Sequence, residues 1–147
     1  MIKLKVNGLP IEVEKGTTIL DAAKKLNFRI PTLCHHQDLC VAGNCRVCVV
    51  EQVGGKALVA ACATPVADGM EINTNTLKVR AARKHIIELL LSEHNADCTK
   101  CYKNGACELQ SLANEYSVGD HLFLDLIKDK ESMIDITSPS LMKDDSK

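Results

Sequence analysis

The chain has 147 residues, of which 25% are charged and 46% apolar, with a formal net charge of −1. This near-neutral balance gives no electrostatic reason to expect nucleic acid or a membrane surface as the main partner, and no segment reaches the ~20 apolar residues of a membrane span. Aromatic content is 3%, with no Trp, so a unit this small needs another source of stability, which eight cysteines could supply as disulfides or metal ligands.

The N-terminal run Met1-Ile2-Lys3-Leu4-Lys5-Val6 alternates apolar and charged residues and lacks the continuous apolar stretch and cleavage site of a signal peptide. A cytoplasmic protein is therefore expected. In that reducing compartment clustered cysteines bind metal more often than they form disulfides.

Ile2, Leu4 and Val6, then Leu9, Ile11 and Val13, read as two strands joined at Asn7-Gly8, a type I′ hairpin signal. Thr17-Thr18 followed by Asp21 marks a helix start, with Ala22, Ala23 and Leu26 facing inward. Pro31 then forces an extended path into a Cys-rich loop. Arg46 to Val53 reads as a strand, Gly54-Gly55 as a turn, Ala57 to Ala61 as a strand pairing back, and Asp68-Gly69 as a turn before a strand at Met70 to Ile72. Residues 1–77 thus form a mostly β unit with one helix on it.

From Leu77 the period becomes helical. Val79, Ala82, Ile86, Leu89 and Leu90 form the apolar stripe, and Arg80, Arg83, Lys84 and Glu88 lie on other faces. That helix is expected to end near His94-Asn95. A second helix is expected over Glu108 to Tyr116, ending near Gly119. Residues 128–147 are polar and read as an extended tail outside the core.

Cys34, Cys45, Cys48 and Cys62 are separated by ten, two and thirteen residues. A Cys-x₂-Cys pair grips a metal from a tight turn, and the outer two close the site. Gly43, Gly54 and Gly55 lie nearby and let backbone N–H groups approach sulfur, which stabilises a thiolate-bound iron–sulfur core. Cys40-x₄-Cys45-x₂-Cys48 also fits plant-type ferredoxin spacing, so Cys40 competes with Cys34, although the plant pattern puts its fourth cysteine much further downstream than Cys62. Spacing alone does not choose between them. A Cys₄ zinc site is the bland alternative.

His94-x₃-Cys98-x₂-Cys101-x₅-Cys107 comes after the long helix. Three cysteines and a histidine close a tetrahedral site, so Cys₃His zinc competes with an iron–sulfur cluster here as well. No G-x-G-x-x-G fingerprint, P-loop or nucleophile motif is present, so no catalytic residue is expected.

Three stretches together resemble a known region: Pro31-Thr32-Leu33-Cys34-His35-His36, Ala42-Gly43-Asn44-Cys45-Arg46-Val47-Cys48-Val49-Val50-Glu51, and Ala61-Cys62-Ala63-Thr64-Pro65. It is the N-terminal iron–sulfur region shared by the large iron–sulfur subunit of respiratory complex I and the [FeFe]-hydrogenases. The resemblance implies an α+β architecture: a β-grasp [2Fe–2S] ferredoxin domain (1–77), a small helical His/Cys [4Fe–4S] domain (78–120), and a C-terminal segment and docking tail (121–147). It implies Cys34, Cys45, Cys48 and Cys62 as [2Fe–2S] ligands, and His94, Cys98, Cys101 and Cys107 as [4Fe–4S] ligands, the latter continued by Cys107-Glu108-Leu109-Gln110. Cys40, His35, His36 and His85 match no ligand.

The stretch from Ser138 to Lys147 resembles the connector into a further paired-cluster domain of longer relatives. The resemblance thus implies a small electron-transfer subunit that relays single electrons between a flavin- and NAD(P)H-binding subunit and further iron–sulfur subunits. An electron-bifurcating transhydrogenase or hydrogenase is the favoured setting, and hydrogenase activity in this chain itself is not expected. The [2Fe–2S] unit, joined through a short link at 72–77, is expected to be the more mobile end. Two other readings are a free ferredoxin-like carrier and a zinc-stabilised interaction module.

Overall fold

Strands β1 (Ile2–Val6) and β2 (Leu9–Val13) pair antiparallel, with Val6 opposite Leu9. Asn7 and Gly8 between them have φ values of 50° and 82°, the two positive angles that a type I′ turn requires. The structure is a computed structural model that describes residues 1–94, 97–119 and 134–144. The chain divides into two units, Met1–Ile86 and Ile87–Lys147.

In the first unit, helix α1 (Ile19–Lys25) starts where the sequence signals it. The Thr18 hydroxyl oxygen accepts from the Asp21 amide at 3.1 Å, and the hydroxyl donates to Asp21 Oδ2 at 2.7 Å. The helix buries Ile19, Leu20, Ala22 and Ala23. It ends on Asn27, whose φ is 60°, with the Phe28 amide donating back to the Ala23 carbonyl at 2.9 Å, a Schellman closure.

Strands β3 (Val49–Gln52), β4 (Leu58–Ala60) and β5 (Glu71–Asn73) complete a five-stranded sheet of order β2-β1-β5-β3-β4. β1 and β5 run parallel and the other neighbours antiparallel. The parallel pair needs a long crossover, and α1, the cysteine loop and the β3–β4 hairpin all lie within it. β3 is shorter than the run from Arg46 suggested, because Arg46 has a φ of 58° and breaks the extended path.

The core gathers Leu4, Val6, Val13, Ile19, Leu20, Val50 and Ile72 with the thiols of Cys48 and Cys62. Small aliphatic side chains therefore do the filling that aromatics would otherwise do, each contributing roughly 1.5–3 kcal/mol when fully buried. Asn7 ties the hairpin turn to the residue that follows the parallel strand β5: its Nδ2 donates to Thr74 Oγ1 at 2.9 Å, and its Oδ1 accepts from the Thr74 amide at 2.8 Å.

Helix α2 (Leu77–Ser92) begins in the first unit, and its last turns belong to the second. Its buried face differs from the expected stripe. Val79, Arg83 and Ile87 are 0%, 2% and 0% exposed, Glu88 is also buried, and Leu89 is 56% exposed. The apolar pattern set the stripe about one position off, because it treated every charge as solvent-facing. The helix stops at Ser92, and the His94 amide donates to the Leu91 carbonyl at 3.1 Å. Asn95 lies outside the described residues.

The second unit continues with a 3₁₀ turn (Cys98–Lys100) and helix α3 (Glu108–Glu115). Ser117, at φ 49°, ends α3, with the Val118 amide on the Ala113 carbonyl at 2.9 Å. Strands β6 (Ile134–Ser138) and β7 (Leu141–Asp144) then form an antiparallel hairpin, irregular between Asp135 and Ser138. The described part of the expected extended tail is instead a hairpin, in which Ile134, Ile136, Leu141 and Met142 are exposed. The rest of the expected tail, 121–133 and 145–147, lies outside the described residues.

Candidate metal centres

None of the eight cysteines is in a disulfide. Cys48 sits just ahead of β3 and Cys62 just beyond β4, so the antiparallel pairing of Val49 with Ala60 brings them face to face. Their sulfurs are 3.3 Å apart, the Cys48 thiol donating to Cys62. Both are 1% exposed. The Ala61 amide donates to the Cys48 carbonyl at 3.1 Å and fixes this register next to the sulfurs.

The other pair lies in the loop before β3. Cys34 and Cys45 are half-buried, and their thiols hydrogen-bond to each other. The loop takes left-handed steps at Gly43 (φ 64°) and Arg46 (φ 58°), which turns successive amides inward. N–H groups of Asn44 and Cys45 point at the Cys34 sulfur, and that of Val47 at the Cys45 sulfur. Glycine suits position 43 because of this positive φ, while an added Cβ would meet Ala63 only at an ordinary contact distance of 3.5 Å.

Electrostatics separates Cys34, Cys45 and Cys62. Burial works against a Cys34 thiolate, but the amide donors and the Cys45 thiol outweigh it, and the pKa falls below its ordinary value. Burial raises Cys45. Burial, and then the neighbouring Cys48, pushes Cys62 up to about 12. Cys62 also feels the charges of Cys34 and Cys45, so the four sulfurs form one electrostatic group.

Two pairs of sulfurs, one of them met by amide donors, fit an anionic two-iron core, which takes two thiolates on each iron and is stabilised by N–H···S contacts. Among the described residues, no three His, Cys, Asp or Glu side chains close around a single metal ion. Cys40 is exposed, and so is His36, whose Nδ1 lies 3.6 Å from Asp38 Oδ2. His35 is half-buried.

The second group is more open. His94, Cys98, Cys101 and Cys107 are each half-buried. Cys98 opens the 3₁₀ turn, and the Cys101 amide closes it on the Cys98 carbonyl at 3.2 Å. Cys107 occupies the N-cap position of α3, and its carbonyl accepts from the Ser111 amide and hydroxyl, each at 3.0 Å. Gln110 braces the intervening loop: its Oε1 accepts from the Gly105 amide at 3.0 Å, and its Nε2 donates to Asn104 Oδ1 at 3.2 Å. Spacing gives no sign of this brace, since only the folded loop brings Gln110 back onto Asn104. His85 is exposed, its Nδ1 lying 2.7 Å from the Ala81 carbonyl.

A family described as a 2Fe-2S iron-sulfur cluster binding domain matches residues 1–77. The chain belongs to this family. A second family, the NADH-ubiquinone oxidoreductase-G iron-sulfur binding region, matches residues 83–121. The chain's cofactors are accordingly one [2Fe–2S] cluster and one [4Fe–4S] cluster, and its role is electron transfer.

Among similar proteins, the NADP-reducing hydrogenase subunit HndD of Solidesulfovibrio fructosivorans is 47% identical over 123 residues, covering 80% of this chain and 21% of the relative. The NADH-ubiquinone oxidoreductase 75 kDa subunit of Reclinomonas americana is 46% identical over 116 residues, covering 79% and 17%. A chain in the crystal structure of an NAD+-reducing [NiFe]-hydrogenase in the H2-reduced state superposes with a TM-score of 0.78 at 29% identity, covering 94% of this chain and 57% of that one. These matches agree with the resemblance to the shared N-terminal iron–sulfur region. The chain spans about a fifth of the length of the curated relatives named here.

Proposed function

We propose that this chain relays single electrons within a multi-subunit NAD(P)-linked oxidoreductase, between a flavin- and NAD(P)H-binding subunit and further iron–sulfur subunits. Cys34, Cys45, Cys48 and Cys62 hold the [2Fe–2S] cluster in a β-grasp domain over 1–77. His94, Cys98, Cys101 and Cys107 hold the [4Fe–4S] cluster in a helical domain over 78–120, and 121–147 serves as a docking segment. The observation that carries this reading is the paired thiols of the first unit, Cys48 against Cys62 and Cys34 against Cys45, with amides aimed at the sulfurs of the second pair.

When bound, each cluster accepts and gives up one electron at a time. The chain's own residues keep that exchange specific. Val47, Cys48, Val49 and Val50 are buried and exclude water from one side of the first site, while the Asn44, Cys45 and Val47 amides favour an anionic core. A relay needs no general base or nucleophile, and none of the motifs for them occurs in the sequence. The hydrogenase and NADH-ubiquinone oxidoreductase relatives favour the NAD(P)-linked setting. An electron-bifurcating complex is the version we favour, because single-electron carriers are what a flavin needs to split an electron pair. The cytoplasm is the matching compartment, where thiols persist. Among the described residues, no helix is long and apolar enough to cross a membrane.

The test is anaerobic purification of the tagged chain from its native host. We expect a flavoprotein to co-elute in fixed stoichiometry, and NADH or NADPH to reduce the clusters in the assembly but not in the isolated chain. A chain that elutes alone, with the host's flavoproteins reducing it only by collision, supports the free-carrier reading instead.

A further inference from the structure

Arg83 is the least expected buried residue of the first unit. Its position among charged neighbours places it on a solvent face, yet it is 2% exposed. Burying a guanidinium is unfavourable unless its donors find acceptors. Arg83 Nη2 donates to the Val49 carbonyl at 2.8 Å in a buried setting.

Val49 follows Cys48 directly in the chain. The Cys48 carbonyl is fixed by the Ala61 amide at 3.1 Å, and its sulfur lies 3.3 Å from that of Cys62. Arg83 therefore acts on the first peptide of the strand that leaves the site. Its own helix is seated on the same strand, because Thr76 and Lys78 both bind the Glu51 carboxylate, at 2.8 Å and 3.6 Å. The guanidinium is thus held in a fixed place, one peptide group from a proposed ligand.

We infer that Arg83 is a positioning residue for the [2Fe–2S] site: it clamps the Cys48 strand through Val49, and its fixed positive charge raises the reduction potential of the cluster. The inference rests on the ligand reading proposed above. Reduction adds one negative charge to a core already surrounded by thiolates. A cation held nearby, in surroundings less polarisable than water, favours that added charge. Arginine suits the position because it stays charged when buried and donates in a fixed geometry.

The test is a potentiometric titration of the [2Fe–2S] EPR signal in the full cluster-loaded chain, comparing wild type with Arg83→Gln and Arg83→Lys. At the potential where the wild-type cluster is half reduced, Arg83→Gln should be reduced well below half, with the line shape retained. Arg83→Lys, which keeps the charge, should titrate close to wild type. An intact Arg83→Gln signal with an unshifted midpoint overturns the inference, and so does an Arg83→Lys midpoint lowered as far as that of the Gln variant. Should Arg83→Gln fail to assemble, the Lys variant decides. Assembly with a near-wild-type midpoint supports the inference, and failure to assemble reduces Arg83 to a packing residue. A wild-type chain with no reduced [2Fe–2S] signal would instead overturn the ligand reading itself.

Discussion

The hydroxyl of Thr76 donates to Glu51 Oε2 at 2.8 Å, while its oxygen accepts from the Val79 amide at 3.2 Å. One side chain thus caps helix α2 and seats it on β3, the strand that begins next to Cys48. Losing a hydroxyl cap costs about 1 kcal/mol, and the hydrogen bond to a carboxylate adds to that. Thr76→Ala should therefore lower the thermal midpoint of the cluster-loaded protein by several degrees, and Thr76→Ser should restore most of it. Thermal unfolding followed by circular dichroism checks this. An unchanged midpoint in Thr76→Ala would show that the capping contact is not what seats the helix.

The thiols of the first site should differ in reactivity when iron is removed. Cys34 is lowered by amide donors, and Cys62 is pushed up to about 12 by burial and then by Cys48. Alkylation of the apo-protein by iodoacetamide near pH 8, read by peptide mass spectrometry, should therefore label Cys34 early and Cys62 late. The sign for stability comes from the same shift. Folding keeps Cys62 protonated beyond its ordinary 9.0, so that contribution is complete below about pH 9 and is lost as pH rises toward about 12. A Cys62→Ser apo-protein should lose this part of the alkaline destabilisation.

Cysteine substitutions should separate ligands from bystanders. Cys40 is exposed, so Cys40→Ser should keep the full iron and acid-labile sulfide content. Cys62→Ser removes a buried partner of Cys48 and should abolish or cripple the [2Fe–2S] signal while sparing the [4Fe–4S] one. Loss of the [2Fe–2S] signal in Cys40→Ser would revive the plant-type spacing and displace Cys34.

Histidine ligation carries its own signature. Replacing a thiolate by neutral imidazole removes a negative charge and raises the potential, as in Rieske centres. His94→Cys, where it still assembles, should titrate at a lower potential than wild type in a redox titration of the [4Fe–4S] signal. An unchanged or higher potential contradicts this role for His94.

What could be read in the sequence depended on whether a signal was local. Asn7-Gly8 and Thr18–Asp21 announce a turn and a cap through backbone angles and short-range hydrogen bonds, and both are found where they were expected. The buried face of α2 departs from its apolar periodicity, because Arg83 is held inside by a hydrogen bond to a carbonyl 34 positions earlier in the chain. No periodicity reports such a contact. The β6–β7 hairpin carries only a weak signal: the alternation of Ile134 and Ile136 is short, β7 does not alternate, and Ile134, Ile136, Leu141 and Met142 are all exposed.

At the first site, spacing could group the cysteines but left Cys34 and Cys40 in competition. The fold adds what spacing lacks: Cys34 takes up amide donors and a thiol partner, and Cys40 is exposed. The amide cradle itself depends on the left-handed step at Arg46, a residue type that does not advertise a positive φ.

The most direct measurement is low-temperature EPR of anaerobically purified protein before and after dithionite reduction, with iron and sulfide counted in the same sample. The account predicts two separable reduced signals, one from a [2Fe–2S] centre and one from a [4Fe–4S] centre. A colourless, EPR-silent protein holding zinc, even when taken anaerobically from its native host, would contradict it.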